Sequence, residues 1–138
     1  MNSIQKVVES IIDNHLIKAL FTVKLARQCD GHDGAVTLHF KMREDAIHSH
    51  QGATGLMIDC AARSAGYWHI GPSFLSECET HIRTLPHARE FIARAGIAQA
   101  DQNCATFYCE IYNKSNNKLV AESQGTLLKA KPALARVA

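Results

Sequence analysis

The sequence predicts an α+β fold in which an antiparallel sheet wraps around one buried central helix. Three observations carry that expectation. Gly52 to about Trp68 is an apolar, Ala-rich stretch, too hydrophobic all round for a surface helix. The segments on either side alternate apolar and polar residues with period two, as half-buried strands do. Short turn clusters join these segments, which gathers the strands around the helix.

Taken in order, Ile4, Val7, Val8, Ile11, Ile12, Leu16 and Ala19 recur at helical spacing, so an amphipathic N-terminal helix is expected over about 3–20. Phe21 to Leu25 switches to period two and reads as a first strand. Cys29 to Gly34 is a turn cluster rich in Asp and Gly. Val36, Leu38, Phe40 and Met42 alternate with polar neighbours in a second strand, and Glu44 to Ser49 is a polar loop. The apolar helix follows, closed by His69-Ile70-Gly71-Pro72. After Pro72, period two returns, with Phe74, Ser76, Cys78, Thr80 and Ile82 expected on one face, turned toward the helix. Pro86 interrupts or bends that strand. Glu90 to about Ala100 fits either a helix or a strand. Asp101-Gln102-Asn103 is a turn, Cys104 to Tyr112 a strand, Lys114 to Lys118 a hairpin turn and Leu119 to Lys129 the last strand. A frayed tail is expected over about 132–138. No internal repeat or domain boundary is visible, so residues 1–138 are expected to form one domain.

Composition narrows the function classes. A formal net charge of +2 argues against nucleic acid as a partner. No segment is apolar for long enough to cross a bilayer, and no signal-peptide order is present, so a cytoplasmic location is expected. The five cysteines, Cys29, Cys60, Cys78, Cys104 and Cys109, show no metal spacing and read as reduced thiols. His48 and His50, with Glu44 and Asp45 nearby, lack a placed third ligand, so no metal and no other cofactor is expected.

The stretch from His50 to Asp59 concentrates the chemistry. The start of a helix offers unpaired backbone N–H groups that can hold an oxyanion. Within the apolar run sits one carboxylate, Asp59, whose burial is costly unless it is paired or functional. A structural reading ties it to Arg63, four residues on. A functional reading makes it a base.

These residues and this element order resemble the hot-dog fold, and specifically the acyl-CoA thioesterases of the phenylacetate-pathway type. In that family a His-Gly-Gly turn opens the central helix and an aspartate follows nine residues after the histidine. Here His50-Gln51-Gly52 opens the helix, and Asp59 stands at that spacing. Phe107 to Asn113 and Lys118 to Thr126 are similar to the family's closing hairpin. Two positions depart from the pattern: Gln51 replaces the first glycine, and Glu44 stands where the family often has asparagine.

The resemblance implies an acyl-CoA thioesterase. The backbone N–H of Gln51 or Gly52 would hold the oxyanion, His50 would orient the turn or contact the thioester, and Asp59 would act as general base or nucleophile. Ser76, with Thr80 as a weaker substitute, resembles the strand hydroxyl that positions water; a plain core-lining hydroxyl is the competing reading. Glu44 would lie near the substrate. Arg83 and Arg89, with Arg94, Lys129 and Lys131, are candidates to meet the phosphates of coenzyme A. The family's aspartate comes from the subunit opposite the oxyanion helix, so a homodimer or homotetramer with the site at the interface is implied. A hot-dog enoyl-CoA hydratase or dehydratase, and a non-catalytic acyl-CoA-binding module, are the alternatives.

Overall fold

The computed structural model describes residues 6, 9–11, 15–28, 35–44, 50–83 and 89–130, with the side chains of 15–16, 26–28 and 50–52 outside that set. Among the described residues two helices and six strands follow in the order α1 (His15–Leu20), β1 (Phe21–Gln28), β2 (Val36–Met42), α2 (His50–Ile70), β3 (Ser73–Ile82), β4 (Glu90–Ala100), β5 (Cys104–Asn113) and β6 (Leu119–Lys129). The strands form one antiparallel sheet in the spatial order β1-β2-β4-β5-β6-β3. β1 and β3 are its edges. α2 lies across one face and packs on β2, β3, β4, β5 and β6. The expected helix wrapped by an antiparallel sheet is therefore what the chain forms.

The strands follow from alternation. On β5, Ala105, Phe107, Cys109 and Ile111 are buried while the residues between them are partly exposed. β2 does the same with Val36, Leu38, Phe40 and Met42. The helix answers with Ala53, Met57, Ile58, Cys60, Ala61, Ala62 and Ala65, all nearly solvent-free. Small residues on this face let the helix sit close on the sheet, and burial of large side chains such as Phe40, Phe91, Phe107 and Leu127 supplies the driving force, about 1.5–3 kcal/mol for each of such size. Phe21 meets Phe40 edge to face at 5.3 Å, which fastens edge strand β1 to the core.

Several expectations are corrected. α2 continues through His69 and Ile70, two of the residues expected to close it. The helix ends within the expected stop cluster, at Gly71, whose φ of 71° and N–H bond to the Tyr67 carbonyl at 2.9 Å make a left-handed cap before Pro72. β1 runs on to Gln28. Glu90–Ala100 resolves as a strand, because it is central and paired on both sides, to β2 and β5, which outweighs its Ala-rich composition. The face assigned to the strand after Pro72 is also wrong in part. The β3–β6 register shifts between Leu75 and Glu77, leaving Ser76 at the irregularity. Such a bulge reverses the alternation. Phe74 pairs with Leu128 on the outer face, at 49% and 37% exposure, whereas Cys78, Thr80 and Ile82 pair with Gly125, Ser123 and Ala121. The turn at 29–34, the loop at 45–49, Pro86, the tail and much of the N-terminal helix lie outside the described residues.

Turns use the expected chemistry. Asp101 accepts from the backbone N–H groups of Asn103 and Cys104 at 2.7 and 2.9 Å. Asn117, with φ 61°, turns the β5–β6 hairpin, and Asn113 Oδ1 accepts from Ser115 N at 2.9 Å.

Candidate active site

The two halves of the expected chemistry lie on one rod. α2 begins at His50, so the backbone N–H groups of its first turn, Gln51 and Gly52 included, have no acceptor within the helix. The aligned peptide dipoles add partial positive charge there. The roles expected of the His50 and Gln51 side chains lie outside the described side chains. Asp59 stands seven residues beyond Gly52, about 10 Å along the axis at 1.5 Å per residue.

Asp59 is neither sealed nor alone. Arg63 Nη1 donates to Asp59 Oδ2 at 3.2 Å, and the two side chains keep 30% and 34% exposure respectively. The apolar neighbours on either side of Asp59 therefore do not prevent an ion pair. Asp59 and Arg63 share the side of α2 that leaves the core, and Arg63 Nε reaches the Ser73 carbonyl at the start of edge strand β3, at 3.1 Å. The carboxylate is thus held by a cation and open to solvent within one chain.

Ser76, the expected strand hydroxyl, falls outside the regular pairing of β3 with β6. Ser76 sits at the bulge and is exposed. Thr80, the weaker candidate, is placed better. Its Oγ1 lies 3.2 Å from Ser123 Oγ, which lies 2.8 Å from Cys78 Sγ and donates to the Glu79 carbonyl at 3.1 Å. Cys78, Thr80 and Ser123 form a polar group on the inner face of β3 and β6. Sequence reasoning missed Ser123, although alternation of Ala121, Ser123, Gly125 and Leu127 marks it as the one hydroxyl on that face of the strand.

Two of the expected substrate-binding residues, Arg89 and Glu44, come together, whereas Arg83 pairs elsewhere. Arg89 Nη2 and Glu44 Oε1 pair at 3.0 Å, and Arg83 Nη2 meets Glu122 Oε2 at 2.6 Å. Both pairs are exposed, so each arginine offers an anion a cation already engaged by a carboxylate. Among the described residues no group of three His, Cys, Asp or Glu side chains is arranged to hold a metal ion; His48 and Asp45 lie outside them.

The thiols adjoining the helix are poor nucleophiles. Burial, then the charge of Asp59, push the Cys60 thiol up to about 12, with Arg63 opposing. Burial holds Cys109 higher still. Neither forms appreciable thiolate near neutrality.

Comparison with known proteins assigns the fold. No protein-family model and no curated protein matches the chain in sequence. Solved structures do match. The zebrafish thioesterase superfamily member 2 aligns with a TM-score of 0.76 at 16% identity, over 94% of this chain and 97% of that one. A thioesterase family protein from Silicibacter pomeroyi gives 0.75 at 15%, over 90% and 95%. The E. coli PaaI protein from the phenylacetic acid degradation operon gives 0.71 at 14%, over 91% and 92%. The structures that this chain resembles include members of the thioesterase superfamily, and its architecture is the hot-dog fold.

Proposed function

We propose that this hot-dog domain is a thioester hydrolase acting on acyl-CoA, with its site shared between two copies of the chain. The observation that supports it best is the solvent-open Asp59 carboxylate on α2, nine residues after His50, in a fold shared with the zebrafish and Silicibacter pomeroyi thioesterase structures. In this reading, the first-turn N–H groups of α2 at Gln51 or Gly52 hold the thioester oxygen as it gains negative charge. Asp59 takes a proton from water, whose oxygen bonds to the carbonyl carbon. The C–S bond then breaks, and the proton passes to the departing sulfur. Arg63 orients the carboxylate, and Thr80 with Ser123 takes the water-holding role expected of Ser76.

One chain cannot bring these groups to one carbon atom. The base and the oxyanion donors must both act within about 3 Å of the reacting centre, yet about 10 Å of helix separates them. A second copy, presenting its own Asp59 to the first copy's helix start, removes the conflict. Edge strand β3 leaves a row of backbone groups unpaired by any described strand, with Ile82 58% exposed, which is the kind of edge another chain covers.

The test is thiol release from a panel of acyl-CoA substrates. Asp59→Asn is expected to lower kcat by roughly 100- to 10,000-fold while changing KM little, as loss of a general base does. Full activity in both Asp59→Asn and Asp59→Ala would remove Asp59 from the mechanism.

A further inference from the structure

A pocket of about 280 Å3 opens between the N-terminal helical residues and the C-terminal half of α2, and its wall carries Lys6, Ser10, Arg63, Tyr67 and Ser73. Ser73 is 6% exposed, and its Oγ is buried with no hydrogen-bond partner among the described residues. Native folds seldom leave such a group, because the hydroxyl gives up water and receives nothing in return. Arg63 spends Nε on the Ser73 carbonyl and Nη1 on Asp59, and a guanidinium with five N–H donors has others to give. Lys6 adds a second cation. Among the described residues, no carboxylate lines the pocket. Every described polar side chain on the wall can donate, and two of them, Lys6 and Arg63, can only donate.

A pocket of donors and positive charge selects an acceptor-rich anion. We propose that it binds a small oxyanion, a phosphate or a carboxylate group, with Ser73 Oγ donating to it and Arg63 and Lys6 neutralising it. The volume falls below that of sites for drug-sized ligands, which suits an inorganic anion or a short acid. The site is separate from the α2 start, since Arg63 lies about 16 Å along the helix from Gly52. The same guanidinium holds Asp59, so a bound anion and that carboxylate share one cation. The inference does not depend on the hydrolase reading.

Thermal unfolding of the full chain tests it, with sodium phosphate and, separately, sodium acetate titrated against sodium chloride at constant ionic strength. At least one of the two anions is expected to raise Tm saturably, as any ligand of the native state does. A phosphate response assigns the site to phosphate groups and an acetate response to carboxylates. Ser73→Ala and Lys6→Gln are each expected to weaken that binding about tenfold or more, the usual loss for a hydrogen bond to a charged group. Without anion, Ser73→Ala should keep or raise Tm, because its Oγ satisfies nothing. A fall of several degrees would give that hydroxyl a structural partner and count against the site. No saturable response to either anion, or a response that both variants retain in full, overturns the proposal.

Discussion

At Gly125 a hydrogen is all that β6 can carry on its inner face. A Cβ there would fall onto the Glu77 carbonyl oxygen and come within 2.9 Å of both the Cys78 Cα and the Phe107 ring. The backbone of β3 presses in at this point because the bulge at Ser76 has just shifted its register. Gly125→Ala is therefore expected to cost on the order of 1–3 kcal/mol, the usual range for overpacking, read as a lower urea midpoint with an unchanged m-value. A second residue-scale prediction concerns pH. The Cys60 thiol, pushed up to about 12 by burial, stays protonated in the folded chain after the unfolded chain has begun to ionise near its ordinary value of 9.0. Between those values the unfolded state binds fewer protons, so stability is intact below pH 9 and falls as pH rises toward 12. The slope is about 1.4 kcal/mol per pH unit for one such thiol. Cys60→Ala should flatten that fall in denaturation measured from pH 8 to 11, with Cys109 supplying the remainder. An unchanged slope would mean that Cys60 already ionises in the folded state.

The element that most shapes the site is β3. It is an edge strand, it carries the bulge, and after the bulge it turns Cys78, Thr80 and Ile82 to the face where Ala121 and Ser123 lie. If a second copy covers this edge, placing a charge on it should separate the copies without unfolding them. Ile82→Lys is expected to elute as a smaller species than the parent chain in size-exclusion chromatography with light scattering, with unchanged far-UV circular dichroism. An identical mass for the two would place any interface elsewhere. The same strand shows why part of the fold was legible in the sequence and part was not. β2, β5 and β6 write their buried faces directly into alternation, and α2 writes its burial into a run of Ala and large apolar residues. A bulge leaves no such mark. It arises from how two strands pair, so Ser76 keeps the right parity in sequence and loses it in space. The helix stop is legible as a cluster but not to the residue: His69 and Ile70 are ordinary helix residues, and only Gly71 supplies the positive φ that stops the chain. The nine-residue spacing of His50 and Asp59 was legible. The Arg63 partner was legible as one of two readings. The orphaned Ser73 hydroxyl was not, because a missing partner arises from packing and leaves no sequence pattern.

At the scale of the whole molecule, the length of α2 makes the hydrolase reading a statement about assembly. Oxyanion donors and carboxylate ride on the same helix, about two turns apart, so a working site must combine the helix start of one copy with Asp59 of another. This arrangement can be tested by complementation. Asp59→Asn removes the base and keeps the helix start. Gly52→Pro removes one first-turn N–H, at a helix position where proline is tolerated, and keeps the base; Gln51→Pro is its companion if Gln51 is the donor. Each variant alone is expected to be nearly inactive toward the best acyl-CoA substrate. Unfolded together and refolded at equal amounts, half of the pairs in an isologous dimer are mixed. Each mixed pair holds one site with both groups intact and one with neither. Recovered activity should therefore approach about a quarter of the parent's. A site built within one chain predicts no recovery at any mixing ratio, because every chain in the mixture then lacks one of the two groups.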